Sequence, residues 1–192
     1  MTVVAGHEVA NKTLTSEWSP FDKGRMELQV GATAYHSSNS NDERPESADV
    51  GGTIRLGWML SDVSGSGWLR GNWEFLLEGH AAGIVKGPGD VLAGAGLILR
   101  YNFVCEDGAW VPYIQLGAGG VYSDAHEDPN QRLIGSEWSF LLQGGLGVRY
   151  FIKENAALYL EANFRHISNA DTSDRNTGLN SVGAVLGVSW FF

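Results

Sequence analysis

The chain has 192 residues, enough for one domain with a sizeable core and short for two. A formal net charge of −9 speaks against binding nucleic acid, and a single cysteine, Cys105, rules out an intrachain disulfide. Glycine is frequent at 26 residues, proline scarce at 5 and aromatics make up 11%, a mix that disfavours both disorder and a helical bundle, where an interior glycine costs about 1 kcal/mol.

No apolar run approaches the 18 or more residues of a membrane helix. Instead, eight runs alternate with a period of two, at roughly 25–37, 50–61, 68–81, 92–104, 110–123, 138–152, 156–169 and 179–192. Each is long enough to cross a bilayer as a tilted strand. In the third run Leu69, Gly71, Trp73, Phe75 and Leu77 alternate with Arg70, Asn72, Glu74, Leu76, Glu78 and His80. In the sixth, Trp138, Phe140, Leu142, Leu146, Val148 and Tyr150 alternate with Ser139, Gln143, Gly145, Gly147 and Arg149. The eighth sets Val182, Ala184, Leu186, Val188, Trp190 and Phe192 against Ser181, Gly183, Gly187 and Ser189.

One face is thus apolar and tipped with aromatics, the other polar, small or charged. The charges on the polar face are Glu27, Glu74, Glu78 and Glu161 against Arg55, Arg70, Arg100, Arg149 and Arg165, a near balance that suits a lumen filled by ion pairs. The net acid is carried mainly in the breaks. Long polar breaks fall at 38–49 (SSNSNDERPESA), 82–91, 124–137 (DAHEDPNQRLIGSE) and 170–178 (ADTSDRNTG), with shorter ones at 62–67, 105–109 and 153–155. Short turns on one side and long loops on the other fit an outer-membrane barrel, as does a last strand ending WFF. The expected fold is all-β, an eight-stranded antiparallel transmembrane β-barrel formed by a single domain over 1–192. Residues 1–24 are expected to be a periplasmic N-terminal segment. They lack the basic and long apolar regions of a signal peptide, so the expected location, the bacterial outer membrane, takes that signal to have been removed.

In the seventh run Leu158, Leu160, Ala162, Phe164, His166 and Ser168 share the apolar row, while Glu161 and Arg165 share the other. His166 and Ser168 therefore face lipid just before a long loop. Same-face neighbours on a strand lie about 6.5–7 Å apart, a gap that an imidazole leaning toward a hydroxyl spans, as general-base activation requires. The same pair also suits two polar residues at a membrane rim. Elsewhere, SDAHED at 123–128 reads as a cation site or, more simply, a solvated loop without metal-ligand spacing. Glu74, Glu78 and His80 read as a lumenal cluster, and the tryptophans of the apolar rows as wall or girdle.

The stretch FRHISNAD, followed by NTGLNSVGAVLGVSWFF, resembles the lipid A 3-O-deacylase (PagL) family, also described as acyloxyacyl-hydrolase-like. The resemblance lies in an H-x-S-N-A core, a short loop and a G-[LI]-x-S start to the last strand; earlier strands match in number and pattern only. It implies an outer-membrane serine esterase that removes the 3-O-linked acyl chain of lipid A in the outer leaflet. It further implies Ser168 as nucleophile, His166 as general base, and Asn169 with a following N–H such as that of Ala170 as the oxyanion hole. The family's orienting glutamate stands two positions after the loop glycine, and here that position is Asn180. An asparagine accepts the histidine N–H but brings no charge, which leaves three readings: Asn180 orients, Asp171 or Asp174 from the loop does, or the chain is an inactive relative. No cofactor or metal is implied. The expected partners are lipid A or lipopolysaccharide and outer-membrane lipid, with oligomeric state open, a homodimer included. The rivals are a non-catalytic barrel acting in membrane integrity or adhesion, and a soluble barrel of lipocalin type.

Overall fold

The computed structural model describes residues 19–37, 45–105 and 109–192, so the N-terminal segment and the break at 38–49 lie partly outside the described residues. Each alternating run is a strand: β1 (Met26–Ser37), β2 (Ala48–Met59), β3 (Gly71–Lys86), β4 (Val91–Phe103), β5 (Trp110–Ser123), β6 (Trp138–Lys153), β7 (Ala156–Ser168) and β8 (Leu179–Phe191). Neighbours are antiparallel and β8 pairs back onto β1, closing an eight-stranded barrel. Closure leaves no sheet edge, the condition for a sheet to sit in hydrocarbon.

The outward rows are apolar and solvent-accessible, with Leu116, Leu146 and Leu186 at 73%, 64% and 62% exposure. An apolar exterior around a charged interior inverts a soluble barrel, which disposes of the lipocalin alternative; the wall is built for lipid. The fold is that of an outer-membrane barrel.

Two expectations about the third run are corrected. Residues 67–69 form a 3-10 turn, after Gly65 (φ 85°) and with Gly67 (φ 59°), and the strand begins only at Gly71. At its other end β3 continues to Lys86, paired with β2 through Ala48↔Lys86 and with β4 through Gly83↔Val91. Ala81, Ala82 and Gly83 put small residues on both faces, which erases the alternation without weakening the ladder. The connections at the upper end are therefore 38–47, 87–90, 124–137 and 169–178, and at the lower end 60–70, 104–109 and 154–155.

The lumen is packed. Arg55 Nε lies 2.6 Å from Glu78 and its Nη1 2.9 Å from Glu161; Arg149 Nη2 lies 2.9 Å from Glu74 and also pairs with Glu27. Arg165 pairs with Asp49, a lumenal acid hidden in the predicted break. Arg70, counted with the lumen in the sequence, instead sits in the lower turn and donates to Val104 O at 2.7 Å. The buried charges among the described residues are thus five acids and four arginines. Apolar clusters close both ends, Phe21, Met59, Val111, Phe151 and Phe191 below, and Leu92, Leu133, Ile134, Ile167 and Leu179 above. This interior is a scaffold rather than a pore.

Candidate functional site

The outer face of β7 is where the candidate chemistry stands. Arg165 and Ile167 are buried, so the two-residue beat turns His166 and Ser168 to the exterior. Across the ladders His166 faces Leu142 on β6 and Asn180 on β8, and Ser168 faces Phe140 on β6. His166 Nδ1 lies 2.7 Å from Asn180 Oδ1. An amide oxygen only accepts, so Nδ1 carries the proton and Nε2 keeps its lone pair. Ser168 is two residues further along, about 6.5–7 Å by the strand rise.

The loop between β7 and β8 lies against the imidazole. Gly178 has φ 72°, and a Cβ there would stand 3.2 Å from His166 Cε1 and 3.4 Å from Ile167 O. Only a glycine lets the chain turn left-handed while lying this close to the imidazole. The N–H groups of Thr177 and Gly178 donate to Arg132 O and Leu133 O of the β5–β6 loop at 3.0 and 3.2 Å.

Asn169 follows Ser168 into the loop. It is buried, its N–H donates to Asn176 Oδ1 at 2.9 Å, and its side-chain amide donates to Arg175 O at 3.3 Å. Its Oδ1 accepts the Asp171 N–H at 3.1 Å, the short-range side-chain turn that asparagine favours, and its carbonyl accepts Thr172 Oγ1 at 2.8 Å. Its backbone N–H and one of its two side-chain N–H groups are therefore engaged in shaping the loop. Ala170 and Asp171 follow with φ of 52° and 61°, a conformation that costs non-glycine residues about 1–2 kcal/mol each. Asp171 accepts from Asn176 Nδ2 at 2.9 Å, while the imidazole Nδ1 is engaged by Asn180. The sequence alone offered no sign of the contacts between the two upper loops, since neither loop carries a pattern the other completes.

The remaining candidates resolve into structure. In the SDAHED stretch Asp124–Glu127 is a 3-10 turn whose Asp124 accepts the N–H groups of Asp90 and Val91 at 2.9 and 3.0 Å. Among the described residues no cluster of three or more metal-ligating side chains occurs. Cys105 is exposed at the lower end, remote from β7's upper end.

Three solved structures have the same architecture. The outer membrane enzyme PagL is 20% identical, with a TM-score of 0.60 over 83% of this chain and 97% of that one. Neisserial surface protein A (NspA) is 20% identical, with a TM-score of 0.58 over 88% and 98%. OprG from Pseudomonas aeruginosa is 16% identical, with a TM-score of 0.53 over 89% and 97%. At these identities the likeness shows the fold alone, and no curated protein sequence matches. A family model does discriminate: the one described as lipid A 3-O-deacylase (PagL) matches residues 50–189, a span that takes in the outward pair on β7 and its partner on β8. This chain belongs to the lipid A 3-O-deacylase (PagL) family.

Proposed function

We propose that the chain is a serine esterase that removes the 3-O-linked acyl chain of lipid A in the outer leaflet of the outer membrane. The observation that carries the mechanism is the 2.7 Å contact of His166 Nδ1 with Asn180 Oδ1 on the lipid-facing wall beside Ser168. With Nδ1 protonated, Nε2 accepts the Ser168 proton as Oγ attacks the ester carbonyl. The tetrahedral oxyanion then needs N–H donors, and the Ala170 N–H and the second side-chain N–H of Asn169 are those we assign. Collapse expels the sugar oxygen, which takes the proton from His166. Water activated by the same Nε2 then hydrolyses the acyl–Ser168 ester and restores the free enzyme.

Below His166 the exterior carries an apolar groove lined by Leu116, Gly144, Leu146, Ala162, Phe164 and Val182. It runs where hydrocarbon lies and would receive the acyl chain being released.

Asn180 sets the expected rate. When an aspartate-to-asparagine change costs about 10⁴ in a serine protease, the loss is attributed to the wrong tautomer. Here the amide oxygen selects the right one, and what is missing is the charge that steadies imidazolium. Mass spectrometry of lipid A incubated with the refolded protein in detergent tests the reading. The expected result is loss of one hydroxyacyl mass, abolished in Ser168→Ala and accelerated roughly tenfold or more in Asn180→Glu. Lipid A left intact by all three proteins would instead assign the barrel a non-catalytic role in membrane integrity or adhesion.

A further inference from the structure

Aromatic side chains on the outer wall are unevenly spread. At the lower end they occupy most strands: Trp58 on β2, Trp73 on β3, Tyr101 on β4, Trp110 on β5, Tyr150 on β6 and Trp190 on β8. That ring is the interfacial girdle of an outer-membrane barrel. At the upper rim, among the described residues, outward aromatics are confined to Tyr122 ending β5 and to Trp138 and Phe140 starting β6. The other strands carry His36, Ala48, Val85, Val91 and Asn180 at that level. A girdle has no physical reason to stop at two adjacent strands.

The upper patch adjoins the candidate nucleophile. Phe140 is the register partner of Ser168, where β7 ends. β6 extends one outward residue further, to Trp138, which is 63% exposed and stands above Ser168 on the headgroup side. The Tyr122 ring meets the indole edge-on at a centroid distance of 5.8 Å and 65°, and Ser136 Oγ donates to Trp138 O at 2.8 Å. The indole is thus braced while much of its surface stays free.

We propose that Trp138, braced by Tyr122, is the platform on which the sugar ring of the substrate rests while its ester reaches Ser168. The proposal rests on the esterase reading above. An ester at Ser168 whose acyl chain runs down the wall must leave its alcohol part on the upper side, level with Trp138. For lipid A that part is a pyranose, and the C–H face of such a ring is apolar enough to stack on indole. Trp138 is then a specificity residue: it recognises the sugar and takes no part in bond breaking.

The test compares two esters in detergent micelles, a 3-O-acyl glucosamine phosphate and the same acyl chain esterified to propanol. Wild type, Trp138→Leu and Trp138→Phe are assayed on both, with the propanol ester reporting that the catalytic pair and the fold are intact. For Trp138→Leu the expected result is a KM about tenfold higher on the glucosamine ester, an unchanged kcat, and propanol-ester kinetics within about twofold of wild type. Trp138→Phe recovers most of the KM. Equal losses on both esters, or no loss on either, would overturn the platform. Wild type that cleaves neither ester removes the esterase reading and the platform with it, an outcome distinct from wild type that cleaves both without a Trp138 effect.

Discussion

Gly178 shows how narrowly the site is built at the scale of one residue. Its positive φ and its contact with the imidazole act together, so a methyl group there meets two penalties. Gly178→Ala is expected to cost about 1–2 kcal/mol in backbone strain and to displace His166 from its hydrogen bond. Steady-state kinetics on lipid A in detergent should show kcat falling about tenfold or more with KM nearly unchanged. A variant with full kcat would show that the imidazole tolerates the shift. At this scale the sequence is informative about facing and poor about partners. Period-two alternation forces His166 and Ser168 onto one wall, and only the family resemblance, counting two places on from the loop glycine, pointed to Asn180. That Asn169 turns inward to organise the loop was not legible, because its hydrogen bonds are made to Asn176, Arg175, Asp171 and Thr172 in a loop without periodicity.

The two upper loops behave as one element above the site. The Arg175 guanidinium donates to the carbonyl oxygens of Asp128 and His126 at 2.6 and 2.8 Å, and Ser173 Oγ donates to Gly135 O at 3.0 Å. Arg175→Ala should therefore leave the thermal transition of the barrel in place while limited proteolysis accelerates within 124–137 and 169–178. Equal cleavage rates in variant and wild type would show that the other contacts suffice. The neighbouring junction is expected to respond to pH. Burial pushes the Asp124 carboxyl upward, but the N–H groups of Val91 and Asp90 that donate to it outweigh that and hold it below its ordinary value. A depressed folded-state value means the junction is firm above the unfolded value of about 3.9 and loosens as pH falls through the folded one. Hydrogen exchange at Asp90 and Val91, corrected for intrinsic rates, should lose protection on acidification below about pH 4, and Asp124→Asn should remove that dependence.

At the scale of the whole molecule, stability comes from an interior that is both charged and sealed. Phe21 is fully buried, meets Phe151 and Phe191 at centroid distances of 5.8 Å each, and is held by Asn72 Nδ2 donating to its carbonyl at 3.0 Å. The segment entering β1 is therefore the stopper of the lower mouth. Phe21→Ala should destabilise the barrel by about 3–5 kcal/mol, read as a lower unfolding midpoint in detergent. Glu27→Gln removes a partner of the fully buried Arg149 and should cost a similar 3–5 kcal/mol. Neither position touches the outer wall, so the turnover of folded enzyme should change little in either variant.

Strand number, barrel class and the two faces follow from the sequence alone, because a two-residue beat with an apolar row and a charge-balanced row leaves few other packings. The outward position of His166 and Ser168 follows from the same beat. The tertiary structure decided what depends on register and on loops meeting loops. It placed Asn180 across from His166 and turned Asn169 into the loop. It brought Asp49 into the lumen and Arg70 out of it, and it carried β3 on to Lys86 through small residues that mask alternation. Asn169 apart, whose partners lie within its own loop, these placements join residues well separated in the chain, and their partners are chosen by closure of the barrel rather than by any local preference.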